Sequence, residues 1–326
     1  RMQEAAQKEG TSGVPSGFHT LDKITSGWQN SDLIIIAARP AMGKTSFVLS
    51  MAKNMAVDYK LPVAIFSLEM SNVQLVNRLI MNVCQIEGGK IKSGQLSDGE
   101  WQLFDENITQ LMDAPIYIDD TPSLSIFELR SKARRLVKEH KVRCIIIDYL
   151  QLMSATGMSF NNREQEVSTI SRSLKGLAKE LDIPIIALSQ LNRGVEGRSG
   201  PEGKRPQLAD LRESGAIEQD ADLVCFIHRP EYYKITEDSQ GRSLVGLAEI
   251  IIAKHRNGAT DDFYLRFKDI YAKFSNIDDT TPEDAFMGSY QAFPSKLNEQ
   301  AGYDQIRHEI YPNVGYQSGG TDETPF

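Results

Sequence analysis

Leu33-Ile34-Ile35-Ile36-Ala37, running straight into Ala38-Arg39-Pro40-Ala41-Met42-Gly43-Lys44-Thr45, is the stretch whose reading decides the fold. An unbroken apolar run bounded by turn residues describes a strand buried on both faces. The residues from Lys44 to about 57 then carry a helical pattern. A loop between such a strand and a helix N-terminus points main-chain N–H groups inward and hands an anion to the positive end of the helix dipole. Lys44 adds a point charge for β- and γ-phosphates, Thr45 offers its hydroxyl to Mg²⁺, and Gly43-Lys44-Thr45 fits the end of the phosphate-loop pattern. Ala38 stands where that pattern has its first glycine, and its small Cβ is compatible with the turn. A plain Pro/Gly turn between strand and helix is the alternative, and the order strand, turn, Gly-Lys-Thr, helix argues against it.

Working outward, apolar runs at 63–68, 116–119, 144–148, 185–189 and 223–228 alternate with amphipathic segments such as 126–139 and 167–181. Strands separated by helices describe crossover units and a mostly parallel central sheet covered on both faces, an α/β fold. The pattern changes near residue 245, where 247–254 and 262–267 flank Asn257-Gly258-Ala259-Thr260, with 271–274 as a further strand, so an antiparallel extension is expected at the end. The organisation expected is a linker region over 1–13, one domain over 14–277, and a poorly ordered acidic tail over 278–326.

With 326 residues, 40% hydrophobic and 25% charged, the chain is long enough to bury a large core without disulfides. Cys84, Cys144 and Cys225 lie far apart among apolar neighbours and read as reduced, buried thiols. The histidines show no metal-ligand spacing, and no zinc site is expected. No apolar run of transmembrane length and no signal-peptide core occurs, so a cytoplasmic protein without membrane contact is expected. The formal net charge of −8 is concentrated late: nine acidic and two basic residues lie from Asn276 onward, leaving the body nearly neutral. Global charge therefore decides nothing about nucleic acid, and any such contact falls to local basic loops.

Binding a triphosphate is not hydrolysing it, which also requires a metal partner, a base for water, a γ-phosphate sensor and cations for transition-state charge. Asp148 ends the run Cys144-Ile145-Ile146-Ile147-Asp148, where a carboxylate reaches Mg²⁺ beside Thr45. Glu69 follows Ile65-Phe66-Ser67-Leu68 and is positioned as a base for water, or else neighbours the cap of the next helix. Gln190 follows Ile186-Ala187-Leu188-Ser189 and offers an amide to the γ-phosphate. Lys254 and Arg256, two apart on an extended segment, point the same way and form a cationic fork. Its place on a late hairpin suits a site in a neighbouring subunit, while a charged, solvated edge strand explains it equally well.

Taken together, Arg39-Pro40-Ala41-Met42-Gly43-Lys44-Thr45, Ser67-Leu68-Glu69-Met70, Ile147-Asp148-Tyr149-Leu150-Gln151-Leu152, Leu188-Ser189-Gln190-Leu191-Asn192-Arg193 and Asp210-Leu211-Arg212-Glu213-Ser214-Gly215 strongly resemble the bacterial replicative DNA helicases of the DnaB family. The resemblance runs from about residue 13 to 274. It implies a RecA-like P-loop ATPase domain, assembled as a homohexameric ring on single-stranded DNA, using ATP and Mg²⁺ at subunit interfaces and working with primase and a helicase loader. It implies nucleotide binding by Ala38 through Ser46 (Ala38, Arg39, Pro40, Ala41, Met42, Gly43, Lys44, Thr45, Ser46) and Mg²⁺ binding by Thr45 and Asp148. By the same resemblance Glu69 is the catalytic base, Gln190 the coupling residue, and Lys254 and Arg256 complete the adjacent subunit's site. Ala38 matches that family's own form of the loop, and residues 1–10 correspond to the end of a linker helix.

Between Leu191 and Asp222 a Gly/Pro-interrupted stretch carries Arg193, Arg198, Lys204, Arg205 and Arg212 and no aromatic residue. A long loop inside a compact domain is usually functional. Without stacking platforms it suits backbone contacts to DNA with little sequence preference. The resemblance assigns Arg212, Glu213 and Gly215 to a DNA-binding channel loop, with a second loop over 154–163. For 198–205 a solvated surface loop is an equal alternative.

Overall fold

The computed structural model describes residues 12–155, 160, 162–200 and 202–279, with only the main chain of 212–215. Its centre is β1 (Leu33–Ala38), every residue of which is buried. Ile34, Ile36 and Ala38 enter one apolar core, and Leu33, Ile35 and Ala37 enter a second on the opposite face. This alternation is the period of a strand, and burial on both sides explains why no polar residue interrupts the run.

Around β1 the strands β2 (Val63–Ser67), β3 (Ile116–Asp119), β4 (Cys144–Asp148), β5 (Ile185–Gln190), β6 (Leu223–His228), β7 (Leu247–His255), β8 (Asp261–Lys268) and β9 (Lys273–Ser275) form one nine-stranded sheet in the order β3-β2-β4-β5-β1-β6-β7-β8-β9. The pairs from β3 to β6 are parallel, and β7, β8 and β9 join antiparallel. The α/β fold with an antiparallel extension is therefore as the sequence implies, with boundaries shifted by one or two residues. The register of β6 with β7 slips between Val224 and Cys225, a bulge that leaves Lys254 opposite Val224.

α1 (His19–Thr25) and α2 (Lys44–Lys53) lie on the first face. α2 extends through a π-helical turn, Asn54–Asp58, to the length read from the sequence. The phosphate-loop helix is clamped from both sides in sequence: Phe47 stacks on Phe18 at 5.1 Å and meets Phe274 edge-on at 5.4 Å. Such aromatic pairs contribute roughly 0.5–1.5 kcal/mol beyond burial. Residues 72–112 form three helices, α3 (Asn72–Cys84), α4 (Gly88–Ser93) and α5 (Asp98–Met112). Ser71 with Gln74, and Ser97 with Glu100, close capping boxes that start α3 and α5. On the other face lie α6 (Ile126–His140) and α7 (Arg163–Leu181). Ser125 and Asn162 accept main-chain N–H bonds at their N-termini.

The stretch between β5 and β6 is not a free loop. It winds through short 3-10 turns, including Leu208–Ser214, and ends in α8 (Gly215–Asp220). The three cysteines are buried and unbonded. Among the described residues no helix is long and apolar enough to cross a membrane. Nearly all of the expected linker (1–11) and tail (280–326) lies outside the described residues.

Candidate functional site

The carboxyl ends of β1, β2, β4, β5 and β6 converge on a cleft of about 380 Å³, within the size range of small-ligand sites. Pro40, Ala41, Gly43, Lys44, Thr45 and Ser46 line it from the loop after β1. Ala41 and Gly43 take positive φ, 64° and 92°. The positive φ favours glycine at 43, and an added Cβ would stand a tight 3.1 Å from the Phe274 ring. Three residues of the expected nucleotide stretch do not reach the cleft with their side chains. Ala38 closes β1, Met42 is buried in the core at 1% exposure, and Arg39 turns away from the phosphate side. Arg39 Nη1 donates to the Leu191 carbonyl at 2.7 Å, and Nε and Nη2 donate to Glu196 at 3.0 and 2.5 Å. It is a tether between the phosphate loop and the segment after β5.

Lys44 and Thr45 are held at the start of α2. Lys44 Nζ donates to the Ala38 carbonyl at 3.2 Å. Burial pushes its pKa down, and the nearby carboxylates of Asp148 and Glu69 oppose that shift. The Thr45 hydroxyl donates to Asp148 Oδ2 at 2.8 Å. Burial raises the Asp148 pKa, against the Thr45 hydrogen bond and the charges of Lys44 and Arg78. Leu68 N–H donates to the Asp148 carbonyl at 2.7 Å, tying the ends of β2 and β4 together. The Ser67 hydroxyl folds the chain back by bonding Met70, which leaves Glu69 exposed at the cleft wall. Asp148 and Thr45 supply two hard oxygen donors, and among the described residues no group of three His, Cys, Asp or Glu side chains forms a metal cage. That donor set fits Mg²⁺, which takes one or two protein oxygens and completes its shell with phosphate and water.

Gln190 lines the same cleft, and its main chain is clamped from the turn that follows β4. Gln151 Oε1 accepts the Gln190 N–H at 3.3 Å, while its Nε2 donates to the Gln190 carbonyl at 3.4 Å and the Ser189 hydroxyl at 2.8 Å. Behind Gln190 a second cavity of about 640 Å³ shares Gln190 and Tyr149 with the first and reaches Arg39, Arg163, Arg193 and Asp210. Of the 154–163 stretch, residues 156–159 and 161 lie outside the described residues, and Arg163 bonds the Gln151 and Met153 carbonyls. The main chain of Arg212, Glu213 and Gly215 runs through the Leu208–Ser214 turn into α8.

Two groups of cations from later in the chain lie outside this cleft. In the 198–205 stretch, for which a solvated surface loop was the alternative, Arg198, Lys204 and Arg205 are half-buried and paired within the chain: Arg198 with Asp210, Arg205 with Glu249 at 2.7 Å and Asp262 at 2.9 Å, and Lys204 with the Glu196 carbonyl. Lys254 and Arg256 are not brought to this chain's cleft. They sit opposite and beyond Leu223 and Val224 at the amino end of β6, whereas the cleft lies past His228 at the other end, about 15 Å away at roughly 3.3 Å per residue.

Residues missed in the sequence complete the cleft. Arg229 follows β6, donates to the Ala41 carbonyl at 3.2 Å, and places its guanidinium 4.2 Å from the centre of the Phe267 ring. Burial lowers its pKa, while Asp269 and Glu231 oppose that. Arg78, Tyr149 and Asp269 also line it. The end of the apolar run 223–228 was a signal for Arg229; nothing in sequence connects Phe267 to residue 41.

The family of the DnaB-like helicase C terminal domain matches residues 13–276. The chain is 50% identical over 266 residues to the replicative DNA helicase DnaB of Geobacillus stearothermophilus, covering 82% of this chain and 57% of that protein. It is 46% identical over 272 residues to the replicative DNA helicase DnaC of Bacillus subtilis, covering 83% and 58%. The matched region thus spans little more than half the length of these relatives. The solved structure of a DnaB-like replicative helicase, described with its interactions with primase, superposes with a TM-score of 0.76 at 39% identity, covering 85% of this chain and 65% of that one. With the phosphate loop, the Thr45–Asp148 pair and Gln190 gathered at one sheet edge, and with this match over most of its length, the chain belongs to the DnaB-like helicase C-terminal domain family.

Proposed function

We propose that this chain is the ATP-hydrolysing motor of a replicative DNA helicase that works as a homohexameric ring on single-stranded DNA in the cytoplasm, with primase and a loader as partners. The observation that carries the reading is the separation of Lys254 and Arg256 from the chain's own cleft. Cations at the far end of the sheet cannot serve the nucleotide of their own subunit, and a ring brings them to the next one.

In this reading the main-chain N–H groups of residues 40–45 and the Lys44 ammonium hold the β- and γ-phosphates of ATP. Thr45 and Asp148 would hold Mg²⁺, which supplies charge neutralisation on the phosphate oxygens. Glu69 accepts the proton of the attacking water as its oxygen bonds to the γ-phosphorus and the bond to the β-phosphate oxygen breaks, leaving ADP and phosphate. Lys254 and Arg256 of one subunit neutralise charge on the γ-phosphate of the next. Gln190 senses the phosphate through its amide. The segment that begins at Leu191 passes that state to the main chain of 210–215, which contacts the DNA backbone through Arg212, Glu213 and Gly215.

The test is ATP turnover with and without single-stranded DNA, together with the mass in solution in a non-hydrolysable ATP analogue. DNA-stimulated turnover by a hexamer-sized species is expected. DNA-insensitive turnover by the full protein would overturn the motor reading.

A further inference from the structure

The amino end of the sheet, opposite the phosphate loop, holds a buried carboxylate that the nucleotide cleft does not use. Asp222 is 3% exposed and stands at the entry to β6. Its Oδ2 accepts the N–H of Leu33, the first residue of β1, at 2.9 Å, and an ammonium proton of Lys175 from α7. Its own N–H donates to the Leu33 carbonyl at 2.9 Å. On its other side Oδ1 accepts from Arg256 Nη1 at 3.0 Å, and its carbonyl accepts the Arg256 N–H at 2.8 Å. Arg256 Nη2 donates to the Gln219 carbonyl at 3.0 Å, and Lys254 Nζ donates to the Glu218 carbonyl, both at the end of α8.

Burying an unpaired carboxylate is costly, and here cations from two elements share it. Arg256 gains a fixed plane without being covered: its side chain keeps 49% of its surface exposed. A guanidinium has five donors in a rigid fork, so two fixed bonds orient the remainder. Electrostatic catalysis depends on donors aimed before the charge develops.

We propose that Asp222 is the positioning residue for Arg256. It braces the guanidinium against the foot of β1, so the cation that a subunit lends to its neighbour is fixed to the strand that ends in the subunit's own phosphate loop. This rests on the trans role of Arg256 proposed above. Each subunit then carries its own nucleotide and its lent cation at the two ends of one rigid strand, with α8 joining the fork to the expected DNA segment.

The experiment is ATP turnover by the full protein assembled on single-stranded DNA, comparing Asp222→Asn, Arg256→Ala and the double variant. Asp222→Asn is expected to lower kcat about tenfold or more, with KM and the affinity for a fluorescent ATP analogue unchanged, and to add nothing further in the Arg256→Ala background. Lys175→Met removes the other cation without touching Arg256, and is expected to lower the unfolding midpoint while keeping kcat. Should Asp222→Asn not fold, Asp222→Glu keeps the charge but moves the carboxylate by one methylene, and the same kcat loss is expected. Multiplicative effects in the double variant, or an equal kcat loss in Lys175→Met, would mean a merely structural role and overturn the proposal. Wild-type turnover by Arg256→Ala would remove the trans reading itself. An inactive Arg256→Ala beside a fully active Asp222→Asn would remove only the positioning role.

Discussion

Thr45 and Asp148 meet across the cleft, the Thr45 hydroxyl donating to Asp148 Oδ2 at 2.8 Å although 103 positions separate them in the chain. The pair joins the helix after β1 to the end of β4, two strands that are not neighbours in the sheet. Replacing Asp148 by Asn preserves an acceptor for Thr45 while removing the charge that a divalent cation needs. Turnover is expected to fall by about a hundredfold or more, with nucleotide binding in the absence of Mg²⁺ little changed. Steady-state hydrolysis and a metal-free nucleotide titration check it together.

Arg229 is held between Ala41 and the Phe267 ring at the cleft wall. Arg229→Ala is expected to loosen the phosphate loop and weaken nucleotide affinity about three- to tenfold, the range of one cation–ring contact and one hydrogen bond. Fluorescent-nucleotide titration measures it; unchanged affinity would mean that Arg229 only fills space.

Gln151 clamps the Gln190 main chain through a reciprocal pair of amide hydrogen bonds. Gln151→Leu keeps the volume and removes both bonds, so Gln190 remains present but loosely placed. The expected outcome is an unchanged KM for ATP with DNA stimulation of turnover reduced about tenfold. Comparison of kcat with and without single-stranded DNA decides the matter.

His228 is buried beside Tyr233 and Arg205, and burial and the Arg205 charge lower its pKa from 6.5 to about 4. The native state therefore resists protonation that the unfolded chain accepts between these values. Stability that is fully present above about pH 6.5 is lost as pH falls toward 4, about 3 kcal/mol for this group alone. His228→Gln should show a shallower fall in unfolding free energy over that window. Denaturant titrations at several pH values read the difference in slope.

The β1 run, the Gly-Lys-Thr turn and the acids and amide that end β2, β4 and β5 were legible because a strand buried on both faces and a phosphate loop each leave a local pattern. Strand order was not local: β5 pairs with β1 and β4 with β2 through contacts among apolar residues that any neighbouring strand would satisfy equally well on paper. Arg39 illustrates the limit inside a motif. Its place in the phosphate loop was visible, but its direction depends on Glu196 and the Leu191 carbonyl, residues brought to it only by the pairing of β1 with β5.

By itself, then, the sequence determined that a phosphate loop follows a buried strand, which residue types surround it, and that a late hairpin carries two cations. Only the tertiary structure decided that this hairpin's Lys254 and Arg256 lie at the opposite end of the sheet from the loop, that Asp222 holds Arg256 there, and that Arg198 and Arg205 are tied by Asp210 and Glu249. The physical reason is range. Secondary structure and loop chemistry arise from neighbours within a few residues, whereas the partner of a charge is set by which strands pack side by side.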